Sequence, residues 1–306
     1  MILLSDFYES VFGCKAYKIA LDAGCTCPNR DGTKGTGGCI FCGGNGSGDF
    51  VPSRSLPVRA QVEEARTRIS AKLCGRSGKR RGKLVAYFQN FSSTYGNPDA
   101  LEETFIEALG CDDVVGLAVA TRPDCLGDDI LSRLARMSED TFVQIELGLQ
   151  TSNERTGRLI NRCYTDDDFS DAVLRIKRAA PKIHVVAHVI FGLPGEGEKD
   201  MMGTVDFVSG SGADGIKLTE LYVIRGTGIC AMYEGRKFEV LSKDEYFRLL
   251  SLALRRLPET MVVHRLTGDP PRKSLVAPLW ASDKKRIMGE SMAIAVKIMD
   301  ETFKFP

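Results

Sequence analysis

Short apolar runs alternate with amphipathic stretches over the first two thirds of the chain. Runs at 17–21, 84–88, 114–121, 142–150, 183–191 and 215–221 read as strands. Between them, apolar residues at helical spacing predict helices at 58–73, 100–109, 128–137, 153–161, 166–179 and 198–209. Asn97-Pro98 marks the start of the second of these. A short helix at 5–13, with Phe7, Val11 and Phe12 inward, precedes the first strand. Six alternations of strand and helix imply a parallel sheet with right-handed crossovers. That number of units predicts an α/β fold, a partial (β/α)6 TIM-like barrel, over a flat nucleotide-binding sheet. Residues 222–306 change character. A helix at 243–257, a strand at 261–266, an irregular run at 267–274 and a final helix at 283–302 predict an α+β extension. Two domains are therefore expected: 1–221 as the barrel and 222–306 as a substrate-side cover on its open side.

A chain of 306 residues suits one barrel-sized domain or two small ones. Its 43% of hydrophobic residues is ample for a sizeable core. The formal charge of +1 gives no global pull toward nucleic acid, so any such site must be a local patch. The first residues, MILLSDFYES, lack a basic leader, and no apolar run approaches the roughly 18 residues of a membrane span. A cytoplasmic protein with no membrane contact is expected. Ten cysteines in such a chain argue for a reducing compartment and metal binding rather than a disulfide framework.

Three of these cysteines stand together, in CPNRDGTKGTGGCIFC at 27–42. Cys39 and Cys42 are close enough for both thiolates to face one metal centre, and the long arm from Cys27 can reach a third corner. Thiolates are the soft ligands that iron–sulfur clusters require. Three ligands for four irons would leave one position open, the mark of a working site. Gly32, Gly35, Gly37 and Gly38 let the arm bend and turn its N–H groups toward a negative cluster. Two other readings use the same residues. Cys39 and Cys42 alone could be a redox pair, and Cys25 with all three could make a four-thiolate zinc site in a non-enzymatic module. Cys14, Cys74, Cys111, Cys125, Cys163 and Cys230 are scattered and read as small buried hydrophobes, with Cys163 near the site. His184, His188 and His264 read as hydrogen-bonded core residues, His188 pointing into the barrel.

The cysteine run resembles the radical S-adenosylmethionine (SAM) superfamily, with Phe41 in the aromatic slot before the last cysteine. Within it, the run is similar to the YhcC-like Fe–S oxidoreductases, which share the long arm and Cys-Pro-Asn-Arg-Asp-Gly. The resemblance implies a [4Fe–4S] cluster on Cys27, Cys39 and Cys42 and SAM on the open iron. It places Phe41 near the adenine, with the turn at 192–196 and the residues Phe191, Gly192 and Pro194. It also implies that Glu146 and Gln150 help hold SAM, that Gln89 stands where strand two meets its amino group, and that Arg162 faces its carboxylate. Two positions depart from the wider pattern. Gln89-Asn90-Phe91 stands where many members have a Gly-Gly-Glu-like turn, and Cys163-Tyr164 where Gly-His is commoner.

The implied chemistry is reductive cleavage of SAM to a 5′-deoxyadenosyl radical that takes hydrogen from a substrate. A low-potential donor of flavodoxin or ferredoxin type would supply the electron. Gram-positive relatives are associated with converting a carboxymethylaminomethyl group on the tRNA wobble uridine to aminomethyl, so tRNA is one candidate partner. A small molecule or peptide is the other. Arg76, Lys79, Arg80, Arg81 and Lys83 precede a strand and read as a solvated loop on the face opposite the site. Arg255, Arg256, Arg265, Arg272, Lys273, Lys284, Lys285 and Arg286 are better placed for phosphate. Among the residues of the rigid run at 265–272, Arg265, Asp269 and Arg272 read as substrate-side, with Trp280 a nearby stacking surface.

Overall fold

The computed structural model describes residues 1–44, 46, 50–74 and 82–302. Its strands are β1 (Ile2–Leu3), β2 (Ala16–Leu21), β3 (Lys83–Phe88), β4 (Val114–Thr121), β5 (Phe142–Gln150), β6 (His184–Phe191), β7 (Gly215–Glu220), β8 (Val223–Ile224), β9 (Val262–Arg265) and β10 (Leu275–Ala277). Its helices are α1 (Leu4–Phe12), α2 (Val58–Arg68), α3 (Ser70–Leu73), α4 (Pro98–Leu109), α5 (Asp128–Asp140), α6 (Glu154–Leu159), α7 (Asp166–Ala179), α8 (Glu198–Gly210), α9 (Gly228–Glu234), α10 (Lys243–Arg256) and α11 (Lys284–Thr302).

Eight strands form one sheet in the order β1-β9-β7-β6-β5-β4-β3-β2. Every neighbouring pair in it is parallel. The sheet curls into a half-barrel. Lys18 Nζ, on the edge strand β2, comes within 3.4 Å of His264 Nδ1 on β9, far along the strand order. On the convex side, apolar residues of the strands bury against the crossover helices, as with Phe88 against Phe105 at 5.0 Å between rings. At the N-terminal end of the strands, α1 closes the half-barrel. Phe7 stacks on His184 at 4.4 Å and meets Phe142 edge-on at 6.0 Å, and Tyr8 Oη donates to Gln144 Oε1 over 3.2 Å. Ligands are thereby confined to the other end, where the loops after the strands meet.

Local chemistry explains the element ends. Asn97 caps α4, its side chain accepting from the N–H groups of Asp99 and Ala100, with Pro98 in the first helical turn. Thr165 and Asp168 form a capping box on α7. The expected helix at 58–73 is two helices, divided at Ile69, where φ −111° leaves the helical range. The expected six-strand sheet gains two members. β9 hydrogen-bonds to β7 and β1 to β9, so part of the chain beyond residue 221 lies in the sheet itself. β8 pairs with β10 apart from that sheet, and two- and three-residue strands are too short to show a period. Of the first basic run, Arg76, Lys79, Arg80 and Arg81 lie outside the described residues, and Lys83 pairs with Asp113 at 3.0 Å. Among the described residues no helix is long and apolar enough to cross a membrane.

Candidate active site

The arm after β2 folds back on itself. Arg30 N donates to Cys27 O at 2.8 Å and Gly38 N to Asn29 O at 2.7 Å. Gly38 has φ +80°, and a Cβ there would stand 2.8 Å from Arg30 Nε; a Cβ on Gly35 would stand 2.2 Å from Asn29 Oδ1. These two positions need glycine because the arm is wrapped against those side chains. Arg30 Nη2 then donates to Gly43 O at 2.8 Å, tying the arm's start to its end. Asn29 Nδ2 donates to Asn161 O at 2.5 Å, Asn161 Nδ2 to Gly38 O at 2.9 Å, and Ile40 N to Ile160 O at 3.0 Å. Ile229 N of α9 donates to Ile40 O at 2.8 Å. The arm is thus fastened to the segment after α6 and to the chain beyond β7.

This fastening brings Cys27, Cys39, Cys42 and Phe41 to one wall of a cavity of about 790 Å³. A hydrogen bond between the sulfurs of Cys39 and Cys42, with burial, pushes the Cys39 thiol well up; the same bond and the Arg30 charge hold Cys42 down. Three soft donors, a glycine cradle and the guanidinium groups of Arg30 and Arg122 facing them suit an iron–sulfur cluster. The buried Asn29 Oδ1 beside this cradle has no partner among the described residues. Among those residues, no three His, Cys, Asp or Glu side chains close on a single ion. Cys25 is buried away from the cavity, and burial pushes its thiol up to about 12, which keeps it protonated. Cys163 is exposed, donating to Asn161 Oδ1 at 3.3 Å.

Deeper in the half-barrel, Glu146 is fully buried and gathers five donors. Lys18 Nζ and Gln144 Nε2 each lie 2.5 Å from Oε1, Tyr87 Oη 2.5 Å and His188 Nε2 2.7 Å from Oε2, and Lys217 Nζ also pairs with Oε2. Burial alone would raise this carboxyl, but Lys18, Lys217 and His188 hold it well below the usual carboxylate range. Burial pushes Lys217 down to about 7, against the pull of Glu146, and His188 down to about 4. His188 is therefore a neutral imidazole at neutral pH.

The structure brings Cys27, Cys39, Cys42, Phe41, Gln89, Glu146, Gln150, Arg265 and Asp269 to the same cavity. It does not bring Arg162, Phe191, Gly192, Pro194 or Arg272 there. Arg162 is fully buried, and all its donors are spent. Nε donates to Tyr164 O, Nη1 to Leu149 O and Thr151 O, and Nη2 to Glu154 Oε1 and Asp166 Oδ1, at 2.6–3.0 Å. It pins the segment after β5, so no N–H is left for a ligand carboxylate. Phe191 packs into the core facing Tyr246, and Gly192 lies under Leu241. Arg272 Nε caps Ser282 O at 2.8 Å on the surface. Arg122 instead lines the cavity, held bidentately by Asp124 at 2.8 Å, with Tyr164 4.7 Å beneath its guanidinium. Lys18, Tyr87, Arg122, His188 and Lys217 are among the cavity residues for which the sequence implied no ligand role. Four of them are polar side chains between apolar neighbours on strands, and Arg122 directly follows β4.

Residues 30–208 match the Radical SAM superfamily and residues 213–293 the Radical_SAM C-terminal domain. The uncharacterized protein YtqA of Bacillus subtilis is 41% identical over 91% of this chain and 84% of its own length. Protein YhcC of Escherichia coli is 32% identical over 89% of this chain and 85% of its own. A tRNA-2-methylthio-N(6)-dimethylallyladenosine synthase of Acetivibrio thermocellus is 32% identical over 42% of this chain and 27% of its own. Among solved structures, the archaeal Elp3 of Methanocaldococcus infernus superposes with a TM-score of 0.66 at 14% identity, over 94% of this chain and 64% of that one.

Proposed function

The chain belongs to the radical SAM superfamily, and from that premise we propose that it modifies the side chain of a tRNA wobble uridine, turning carboxymethylaminomethyl into aminomethyl. Enzymes of this superfamily use a [4Fe–4S] cluster and SAM. Bound together, these supply one-electron cleavage of SAM and a hydrogen-abstracting radical. The observation that carries the reading is one continuous cavity joining the three cysteines to a cation-lined lumen. In this reading Cys27, Cys39 and Cys42 hold the cluster, and Phe41, Gln89 and Gln150 flank SAM. Arg122, oriented by Asp124, faces the thiolates and offsets their charge. Residues 222–306 act as the substrate-side part, since Arg265 and Asp269 reach the cavity from there. A flavodoxin- or ferredoxin-type protein delivers the electron. The tRNA assignment draws on the partial relative whose name gives a tRNA product.

A second reading, a small-molecule or peptide substrate, is favoured by one observation. Much of the C-terminal basic group is already paired: Arg255 with Glu301, Arg256 with Asp206, Arg286 with Glu290 and Lys284 with Asp269. Phosphate binding draws on unpaired cations, so this face grips RNA weakly. Two measurements separate the readings. Protein reconstituted anaerobically with iron and sulfide is assayed for 5′-deoxyadenosine with and without tRNA from a strain lacking the gene. Nucleosides of that strain's tRNA are compared with wild type by mass spectrometry. An unchanged nucleoside profile rules out the tRNA reading.

A further inference from the structure

Lys18 of β2, Lys217 of β7 and Arg265 at the end of β9 reach the same cavity from three strands. Against these three cations stand two carboxylates among the described residues, Glu146 and Glu220. Glu146 is shared by both lysines. Glu220 has one oxygen spent on Thr267 Oγ1 at 3.0 Å and Gly268 N at 2.8 Å. Burial raises it, and its other oxygen is buried without a partner among the described residues. The remaining charged groups at the cavity are committed elsewhere among the described residues: Arg122 to Asp124, Lys284 to Asp269, Arg68 to Glu64, and Arg30 to loop carbonyls. Arg265 is exposed to the cavity and has no hydrogen-bond or ion-pair partner among the described residues. A lumen with more cations than anions is costly unless an anion completes it.

We propose that Lys18, Lys217 and Arg265 form an oxyanion subsite that takes a carboxylate carried on the substrate. The Arg265 guanidinium fork suits the planar, two-oxygen face of a carboxylate, and the ammonium groups at the same cavity supply point charges. Glu146 holds the two ammonium groups in place. The proposal deepens the reading above only in placing the substrate in the lumen. It adds which group of the substrate is read, and by which side chains.

The test uses the anaerobically reconstituted enzyme. Acetate, N-methylglycine and inorganic phosphate are titrated separately against chloride at matched ionic strength, and the melting temperature is followed. SAM affinity is measured by equilibrium dialysis on the same samples. In wild type the two carboxylates give a saturable rise and phosphate gives none. In Arg265→Gln, whose exposed side chain leaves folding intact, the carboxylate midpoint moves up by about tenfold, as loss of a charge-assisted hydrogen bond predicts. Arg265→Lys recovers part of that shift, and SAM affinity stays within about twofold. No saturable effect in wild type, an equal response to phosphate, or an unshifted midpoint in Arg265→Gln overturns the proposal. A SAM affinity that falls with the carboxylate response also overturns it, because the cations then serve the carboxylate of SAM. The tRNA nucleoside profile has no bearing on these titrations, so either idea can fail alone.

Discussion

Glu146→Gln keeps the shape of the side chain and removes the charge on which the lumen is built. In the native protein both oxygens are saturated, and two ammonium groups and the neutral His188 depend on them. Gln is neutral and accepts at only one end, so both buried lysines lose their counter-ion and one also loses its acceptor. Breaking a buried pair from one side costs about 3–5 kcal/mol. The lower figure applies at pH 8, because Lys217 already sits at about 7 and escapes the cost by releasing its proton. A chain of this size loses about 2 °C of melting temperature per kcal/mol, so about 6 °C is expected at pH 8. At pH 6 the wild type holds Lys217 charged against Glu146, a pair the variant lacks, and the gap widens toward about 10 °C. In stronger acid it closes. Glu146 is held below its unfolded value, so its stabilising contribution is full above about 4.3 and is lost as pH falls through the folded value. Circular dichroism melts of both proteins from about pH 2 to 8 follow this course. A variant melting within about 1 °C of wild type at pH 6 would refute the reasoning.

Three further outcomes are expected. Arg162→Met leaves two acidic side chains and three backbone carbonyls without their donor; it lowers stability by about 3 kcal/mol or more, read in urea titrations. Should it fold normally and lose only SAM binding, the structural role given to Arg162 is wrong. Cys39→Ala, prepared without air, loses most of its iron and its brown colour, whereas Cys25→Ala keeps both; elemental analysis decides. Gly38→Ala forces a Cβ against Arg30 at a φ of +80°, costing about 1–3 kcal/mol of local strain. Its iron content after reconstitution should fall below wild type while the global melt moves only slightly.

The strands and crossover helices were legible because each buries a continuous apolar face, and such runs at 114–121 and 142–150 become β4 and β5 end for end. β1 and β9 were harder to place in the sheet. β9 lies far along the chain from the strand it pairs with, and β1 has two residues, so only closure of the half-barrel selects their partners. The cysteine arm was legible for a different reason: ligand spacing and glycine placement are local properties, and the arm's wrapping of Asn29 and Arg30 accounts for Gly35 and Gly38 in particular. The lumen was not local. Lys18, Glu146, His188 and Lys217 each stand between apolar neighbours, and β5, β6 and β7 carry further polar residues, so the sequence alone does not state which of them meet. Register decides it. His188 is level with Lys217 on β7 and with Gly148 on β5, two residues beyond Glu146, so parallel pairing stacks separate residues into one charged layer. The same reasoning separates the two arginines. Arg162 was favoured because the resemblance places an arginine there, yet a guanidinium at that position meets helix-start carboxylates and backbone carbonyls and is consumed by them. Arg122 follows β4, where Asp124 accepts from two of its nitrogens and the carbonyls of Arg162 and Cys163 from two more N–H groups, which leaves one N–H over while its charge still acts on Cys39. An arginine is available to a ligand only when its own loop leaves donors over, and that count needs coordinates.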